Sequence, residues 1–467
     1  MNASTTPELE PLRPTLALPV VELQLADLCE RFESLCANAV DSLEIAAGLE
    51  AEGFSDQTVR VCFGFPDVFA LAEDLYRRVP RDPAEPSAQP DPWRTPVRRH
   101  VLRGALFGLP ALCYPVAAPM LSGAGAIPLL VVSTVASWAL SQGLSFLGHS
   151  RLSNGDRDGS RHVLRVGLGG SVCLLLVIVG LTAVLVGRFG PAAGFAAAQG
   201  GYLLAATVLL VDRAEWLLLG ALAPGVLAGT GFLVLGRPAD SRAGALAALG
   251  GSLLLTVVMA VVRTNRAAGR RPRWTELRAT WPYLLFGGVT AGLLAVPLVA
   301  GGTNNAVMAV LPLSLSMGAA EWLLYRYRSA THRLLRRSWL VSDFTARSWW
   351  PLLAALAQYL LCTVVLMVVA RALGATVGIN PQWTSLLAYA AYLALGGALF
   401  VALLLQAFCG PASVVAWCGG ALATELVAVT IDRTVPALRV QLLVCGGLLL
   451  ALVIRAGIVL GQTVRHR

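Results

Sequence analysis

The chain has 467 residues, of which 56% are hydrophobic and only 13% are charged. Soluble proteins carry about 25% charged residues, so this composition excludes an ordinary soluble enzyme and indicates that lipid surrounds most of the chain. The net charge of +9 does not indicate nucleic acid binding, because the arginines stand at the ends of apolar runs, where membrane proteins place them.

Charge is distributed unevenly along the chain. Residues 1–93 contain 17 acidic residues and 6 arginines, which gives this segment a net charge of −11. The first 20 residues lack the basic start and the apolar stretch of a secretory signal peptide. We therefore expect the N-terminus to stay in the cytoplasm, and we predict a disordered tail over residues 1–20.

Residues 21–79 are predicted to form an acidic cytoplasmic bundle of three or four helices. Apolar residues recur at helical spacing, as at Leu25, Leu28 and Phe32. Ser55 is expected to cap the N-terminus of one of the helices. The last helix is expected to turn five apolar residues inward, namely Val68, Phe69, Leu71, Ala72 and Leu75.

Residues 80–97 contain six prolines and are predicted to form an extended tether. Twelve apolar runs follow, each near the roughly 20 residues that a helix needs to cross a membrane. They predict an all-α polytopic membrane protein with two six-helix halves, 98–263 and 281–467, and a basic cytoplasmic connection at 264–280. The predicted spans are Val101–Leu121, Ile127–Leu147, Val166–Val186, Pro191–Val211, Trp216–Leu235, Ala243–Val262, Trp281–Val299, Ala306–Leu324, Pro351–Ala370, Thr384–Phe408, Pro411–Thr430 and Ala437–Leu460.

The distribution of arginine predicts the orientation of these spans. The loops after the second, sixth and eighth spans are rich in arginine, whereas the loops between them carry arginines singly or in pairs. Loops rich in arginine are retained in the cytoplasm. The pattern predicts a multi-pass protein of the cell membrane with both termini in the cytoplasm.

Few ionisable residues lie within the predicted spans, and such residues are candidates for function. Glu425 lies in the eleventh span and Arg455 in the twelfth. Arg455 is expected to extend its side chain to the inner interface. Glu425 is either protonated or hydrogen-bonded to a neighbouring helix, or it is a carboxylate that couples protons or contacts the substrate. Gln142 and Gln199 are expected to link neighbouring helices.

A basic stretch follows the eighth span, which Glu321 closes. As a helix, this stretch is expected to lie on the membrane surface. Its arginines are predicted to bind anionic lipid, to contact the acidic N-terminal bundle, or only to fix the topology. The five candidates are Arg326, Arg328, Arg333, Arg336 and Arg337.

Motifs of soluble enzymes are absent from the sequence, including the Walker A, HExxH and GxSxG patterns. The nine cysteines form no CxxC pair and are interpreted as small buried hydrophobic residues. The sequence therefore predicts no enzyme activity, no cofactor and no metal site.

The layout of the spans resembles the multidrug/oligosaccharidyl-lipid/polysaccharide exporter superfamily over about residues 98–465. The turn after the second span, Gly148–Asp158, is similar to the polar Gly/Asp turn of such exporters. The resemblance implies two lobes that alternate around a central cavity. Members that flip lipid-linked sugars carry basic residues in that cavity, whereas here the first six spans contain almost no internal charge. Residues 48–76 also resemble the N-terminal part of actinobacterial membrane proteins.

Two function hypotheses follow from these patterns. The first is an exporter or flippase of a cell-envelope component, such as a lipid-linked glycan or a related amphiphile, and the twofold division of the spans favours it. The second is a membrane scaffold for envelope assembly, cell division or septation, with the acidic bundle recruiting a cytoplasmic protein. The scarcity of charge within the spans favours the scaffold.

Overall fold

The computed structural model describes residues 18–79, 97–121, 125–300, 307–337, 347–376 and 385–460, apart from positions 40, 188, 237, 239, 266, 268 and 433. The chain divides into two compact units, residues 1–94 and residues 95–467. Every regular element in the described residues is a helix. Most of the tail predicted over residues 1–20 lies outside the described residues, and so does nearly all of the predicted tether.

The described part of the first unit is an all-helical bundle. It contains α1 (Leu18–Arg31), α2 (Glu33–Asn38), α3 (Ser42–Ala51), α4 (Asp56–Cys62) and α5 (Val68–Arg78). The predicted cap is confirmed, because the Ser55 hydroxyl accepts a hydrogen bond from the backbone N–H of Thr58. Asp67 caps α5 in the same way through the N–H of Ala70.

The core of the first unit follows the helical spacing of the sequence with one exception. Leu71 and Leu75 are fully buried, whereas Phe69 is 54% exposed. The prediction that Phe69 points inward is wrong, because one residue after Val68 is a rotation of about 100° around the helix. Burial raises the pKa of the Cys29 and Cys36 thiols. Cys36 is buried as predicted and Cys29 is half-buried, whereas Cys62 at the end of α4 is exposed, so the interpretation of every cysteine as a buried residue is wrong for Cys62.

The second unit consists of long helices and one broken segment. α6 (Val97–Gly108) continues into 3₁₀ turns and a single α-helical turn through Leu121. The other helices are α7 (Ala126–Ser153), α8 (Arg157–Val186), α9 (Pro191–Val211), α10 (Glu215–Val234), α11 (Arg242–Asn265), α12 (Trp274–Ala300), α13 (Val307–Arg337), α14 (Trp349–Thr376), α15 (Leu386–Cys409), α16 (Pro411–Ile431) and α17 (Ala437–Leu460).

Ten helices of the second unit are long and apolar enough to cross a membrane, judged by length and composition of the described residues. These are α7 to α12 and α14 to α17. The prediction of an all-α, polytopic membrane protein is confirmed.

Two predicted spans have a different form from the one expected. The first is not a continuous helix, because Pro110, Pro115 and Pro119 interrupt the backbone hydrogen bonds after Gly108. The basic stretch after the eighth span is not a separate surface helix. It continues α13 without a break to Arg337, since no glycine or proline follows Glu321 within that helix.

The buried residues of the second unit form two large, separate cores. One core draws its residues from positions 106–260, and the other from positions 286–460. The same helix pairings recur in both halves when the helices are counted from one to six, starting at α6 in the first half and at α12 in the second. Helix one packs on helix five, helix two on helices three and four, and helix three on helix four. Helices four and five both pack on helix six. The two predicted halves are therefore two similarly arranged bundles.

The two halves meet along two helix pairs, α6 with α13 and α7 with α12. Each pair joins the first helix of one half, α6 or α12, to the second helix of the other half, α13 or α7. Glycines allow the close approach: a Cβ on Gly318 of α13 would lie 2.7 Å from the Cα of Gly104 on α6, and a Cβ on Gly287 of α12 would lie 2.8 Å from the Cα of Ala139 on α7.

Gly318→Ala is expected to lower the free energy of unfolding by about 1–3 kcal/mol, because the added methyl group meets backbone atoms that cannot rotate away. Gly250→Ala is the matched control. Gly250 also lies within a helix, and no atom lies within 4 Å of its Cβ position, so this change is expected to be neutral or mildly stabilising. Equilibrium unfolding in mixed micelles measures both, and equal effects would contradict the close approach at Gly318.

Candidate functional site

Charged residues from three helices, α6, α10 and α13, converge where α6 meets α13. Arg99 of α6 donates to Oε1 of Glu215 from Nε at 2.9 Å and from Nη2 at 2.6 Å. Arg103, one turn further along α6, donates from Nε to the same oxygen at 3.1 Å. Arg103 also donates from Nη1 to both carboxylate oxygens of Glu321 on α13, at 2.9 and 3.0 Å.

Arg103 uses every nitrogen of its guanidinium group in these contacts. Its Nη2 donates to the backbone carbonyl of Leu210 at 3.1 Å, near the end of α9. Its side chain is 20% exposed, and that of Glu215 is 7% exposed. His100 lies three residues before Arg103 on α6, and its Nδ1 is 3.6 Å from Oε2 of Glu321. Arg103 therefore connects the first half to the second through half-buried, charge-assisted hydrogen bonds.

A second ion pair also crosses between the halves. Arg151, at the end of α7, donates from Nη2 to both oxygens of Glu276 on α12, at 3.0 and 2.8 Å. Nη1 of Arg151 lies 3.5 Å from the carboxylate of Asp156 in its own half. A third cluster lies within the first half, where Asp212 accepts from Nε of Arg161 and Nε of Arg263, both at 2.7 Å.

All the ion pairs described in the second unit lie at one end of the helix bundle. This end, called the arginine-rich end below, is where α7, α9 and α11 finish and α6, α8, α10 and α12 begin. Two carboxylates near it, Asp212 and Glu215, are separated by only two residues, one of which is Arg213 with a positive φ of 58°. A left-handed arginine is strained, so the tight connection between α9 and α10 positions both acids at a conformational cost.

A second polar cluster lies inside the second half. Pro297 in α12 has no N–H, so the carbonyl of Leu293 lacks its usual helical donor. Nε2 of the fully buried Gln441 on α17 donates to this carbonyl at 3.3 Å. The hydroxyl of Tyr392 on α15 donates to the next carbonyl, that of Leu294, at 3.4 Å.

Glu425 of α16 belongs to the same region and is completely buried. Tyr392 and Cys445 lie within electrostatic range of its carboxyl group. Among the described residues, neither carboxyl oxygen has a hydrogen-bond partner. An unpaired carboxylate in apolar surroundings is costly.

The remaining polar candidates within the spans take separate positions. Arg455 is half-buried on α17 and forms no ion pair with Glu425 among the described contacts. Gln199 donates from Nε2 to the Thr134 hydroxyl at 3.2 Å and thereby joins α9 to α7. Gln142 lies at the crossing of α7 and α12, where its Cγ would be 2.9 Å from a Cβ on Gly287.

The basic end of α13 makes local contacts. The Arg326 guanidinium lies over the Trp322 ring at 4.7 Å, and that of Arg328 lies over the Phe408 ring at 5.4 Å. Arg333 is exposed and donates to the carbonyl of Ser329. The side chains of Arg336 and Arg337 lie outside the described residues. Anionic lipid and the N-terminal bundle stay predicted partners of this stretch.

Sequence reasoning missed most of the ionic network at the arginine-rich end. It placed almost no internal charge in the first six spans, whereas the structure buries Glu215 at the start of α10 and half-buries Arg103 in α6. A signal was present, because only ten acidic residues follow position 93. Five of them form ion pairs in the structure: Asp156, Asp212, Glu215, Glu276 and Glu321.

No group of three or more His, Cys, Asp or Glu side chains in the described part of the chain is placed to hold a metal ion. No family model matches the sequence, and the search of curated proteins found no match.

A comparison with solved structures finds matches to transporters at low identity. The crystal structure of MATE in complex with MaD3S is 14% identical, with a TM-score of 0.46, over 79% of this chain and 96% of that chain. The complex of MATE with MaL6 gives 15% identity, a TM-score of 0.45 and the same coverages. An inward-facing multidrug resistance MATE family transporter of the MOP superfamily gives 15% identity and a TM-score of 0.37, over 79% and 94%.

The last of these names the superfamily that the sequence layout resembles.

Proposed function

We propose that this chain is a membrane exporter whose two six-helix halves move against each other to give alternating access across the bilayer. The observation that carries the proposal is the division of the buried residues into two separate cores that are joined along two matched helix pairs. Two bundles with their own cores can tilt as rigid bodies, because a tilt disturbs only the seam between them.

The arginine-rich end is proposed to face the cytoplasm, together with both termini. Its support is the excess of arginine at this end, which membrane insertion retains on the cytoplasmic side. The membrane is proposed to be the cell membrane.

The proposed substrate is an amphiphile of the cell envelope, such as a lipid-linked glycan. The exposed arginines at the end of α13, Arg326 and Arg333, would attract an anionic head group at about 1 kcal/mol per residue near the membrane surface.

Glu425 is the proposed proton-coupling residue. It is buried, no described residue forms a hydrogen bond with its carboxyl oxygens, and its helix, α16, packs on α12. α12 in turn packs on α7 across the seam between the halves. Two helix contacts, α16 with α12 and α12 with α7, therefore connect Glu425 to the contact surface between the halves, which has to move during transport.

Proteoliposomes test the export proposal. Fluorescent NBD-labelled polyprenyl phosphate and NBD-labelled phospholipid are the probes, and the loss of fluorescence after addition of dithionite measures their movement between leaflets. The protein is expected to speed the movement of at least one probe over protein-free liposomes by about tenfold or more.

A cross-link between the halves is the specific control. The rings of Phe146 on α7 and Tyr283 on α12 are stacked across the seam, with centroids 4.1 Å apart. A short cross-link in Phe146→Cys/Tyr283→Cys is expected to stop movement of the probe, and reduction is expected to restore it. Phe146→Cys alone serves as the reference. Movement that continues through the cross-linked protein would contradict alternating access.

The scaffold hypothesis predicts a different outcome. Neither probe would move, and deletion of residues 1–93 would disperse the protein from its site in the cell while the spans stay inserted. A fluorescent fusion measures that distribution. Septal foci that depend on residues 1–93, together with immobile probes, would favour the scaffold with a cytoplasmic protein partner.

A further inference from the structure

We propose that the two ion pairs crossing between the halves, Arg103 with Glu321 and Arg151 with Glu276, form an ionic latch that holds the arginine-rich end closed. The inference rests on the proposed exporter function in one respect, because alternating access gives this opening its purpose. The latch is defined by ion pairs between the two halves, so it can be tested without measuring transport.

The two pairs share one design. In both, the arginine belongs to the first half and the carboxylate to the second. Each arginine also contacts a carboxylate of its own half: Arg103 contacts Glu215 at 3.1 Å, and Arg151 lies 3.5 Å from Asp156. When the halves separate, neither arginine loses all its partners. The usual obstacle to opening a buried ion pair, an unpaired buried charge, is thereby reduced.

The carboxylates that leave are more accessible than Glu215 and Asp212, the two carboxylates that are each held by two arginines of the first half. Glu321 and Glu276 have side-chain exposures of 29% and 30%, against 7% for Glu215 and 9% for Asp212. Water can therefore replace the arginine at the two departing carboxylates as the seam opens. Glu215 and Asp212 stay buried, and each is held by two arginines of its own half.

The seam beside the latch is built to separate. Where α6 meets α13, backbone approaches backbone at Gly104 and Gly318, and the Leu315 side chain of α13 packs on Gly108 of α6. No core residue is shared there, because the two large cores contain residues from one half each. The glycines have no side chain to bury, so separation at these positions costs less apolar burial than it would in a core, and the ion pairs add to the closing free energy at this end.

Hydrogen–deuterium exchange of the full-length protein in lipid nanodiscs tests the latch. The variants are Glu321→Gln and Glu276→Gln, singly and together. The double variant is expected to raise the exchange rates of amides in residues 97–108 and 274–283 by about tenfold, because opening of this end becomes more frequent. Amides at the opposite end, in residues 437–446 at the start of α17, are expected to keep the wild-type rates.

Asp212→Asn is the matched control, since it removes a carboxylate that binds two arginines at the same end but within one half. It is expected to leave residues 274–283 within about twofold of wild type. The charge swap Arg151→Glu/Glu276→Arg keeps both charges and is expected to return exchange in 274–283 toward wild type, when compared with Glu276→Arg alone.

Three results would overturn the latch: wild-type exchange in the double Gln variant, an equal rise in Asp212→Asn, or no recovery in the charge swap. The charge swap keeps the test valid if a Gln variant aggregates. The two proposals also fail separately. Fast probe movement with unchanged exchange would sink the latch alone, whereas the expected exchange pattern with immobile probes would sink the exporter alone.

Discussion

Arg103→Ala is expected to lower the free energy of unfolding by about 3–5 kcal/mol, the largest effect for any single arginine of the chain. The substitution removes hydrogen bonds to Glu215, Glu321 and the Leu210 carbonyl at once. It leaves Glu215, whose side chain is 7% exposed, with Arg99 as its remaining cation. The loss of partners at a buried carboxylate, more than the loss of attraction, accounts for the size of the effect.

Equilibrium unfolding in mixed micelles measures this effect, and two further variants define its origin. Arg333→Ala removes an exposed arginine that donates only to its own helix, and it is expected to change stability by less than about 0.5 kcal/mol. Arg103→Ala combined with Glu321→Gln is expected to cost less than the sum of the two single changes, because they remove one shared interaction. Strict additivity would contradict the bridge.

Glu425→Gln is expected to abolish the response of transport to a pH gradient while the protein stays folded. The amide has nearly the same shape as the carboxyl group, but it cannot bind and release a proton. Because the Glu425 oxygens have no hydrogen-bond partner among the described residues, the substitution breaks no ion pair or hydrogen bond of the described structure. The measurement is NBD-lipid movement in proteoliposomes with and without a pH gradient, expected to be equal in the variant.

Asp432→Asn is the matched control for Glu425→Gln. Asp432 immediately follows α16 and is exposed, and the hydroxyl and the N–H of Thr434 donate hydrogen bonds to it. These bonds hold the pKa of Asp432 below its usual value, so this carboxylate stays ionised at neutral pH and cannot serve as a proton carrier. Its removal is expected to leave the gradient response intact. A gradient response that survives in Glu425→Gln would remove the proposed coupling role.

The two sites differ in how far the sequence could predict them. Glu425 was recognisable because a single acid inside a long apolar run is conspicuous, and its burial follows from its position in the helix. The sequence does not predict which side chains reach the backbone carbonyls before Pro297 in α12. In the structure, Gln441 and Tyr392 donate hydrogen bonds to two of these carbonyls. That contact joins three helices whose neighbours are fixed by packing.

The network at the arginine-rich end shows the opposite case. In the sequence, Arg99 and Arg103 stand at the start of the first predicted span, Val101–Leu121, and Glu321 stands near the end of the eighth, Ala306–Leu324. Their pairing joins residues 112 and 218 positions apart in the chain. No local pattern encodes such a distance, since it follows from which helices become neighbours.

The sequence by itself determined that lipid is the solvent of the second unit, that its elements are helices, and that their arginines gather at one end. These properties depend on run length and composition, which are local and can be counted along the chain. The tertiary structure alone decided that the buried residues divide into two cores and that Arg103 and Arg151 join them. Partner choice between helices depends on surface shape, and glycines such as Gly104 and Gly318 set that shape only when they face each other.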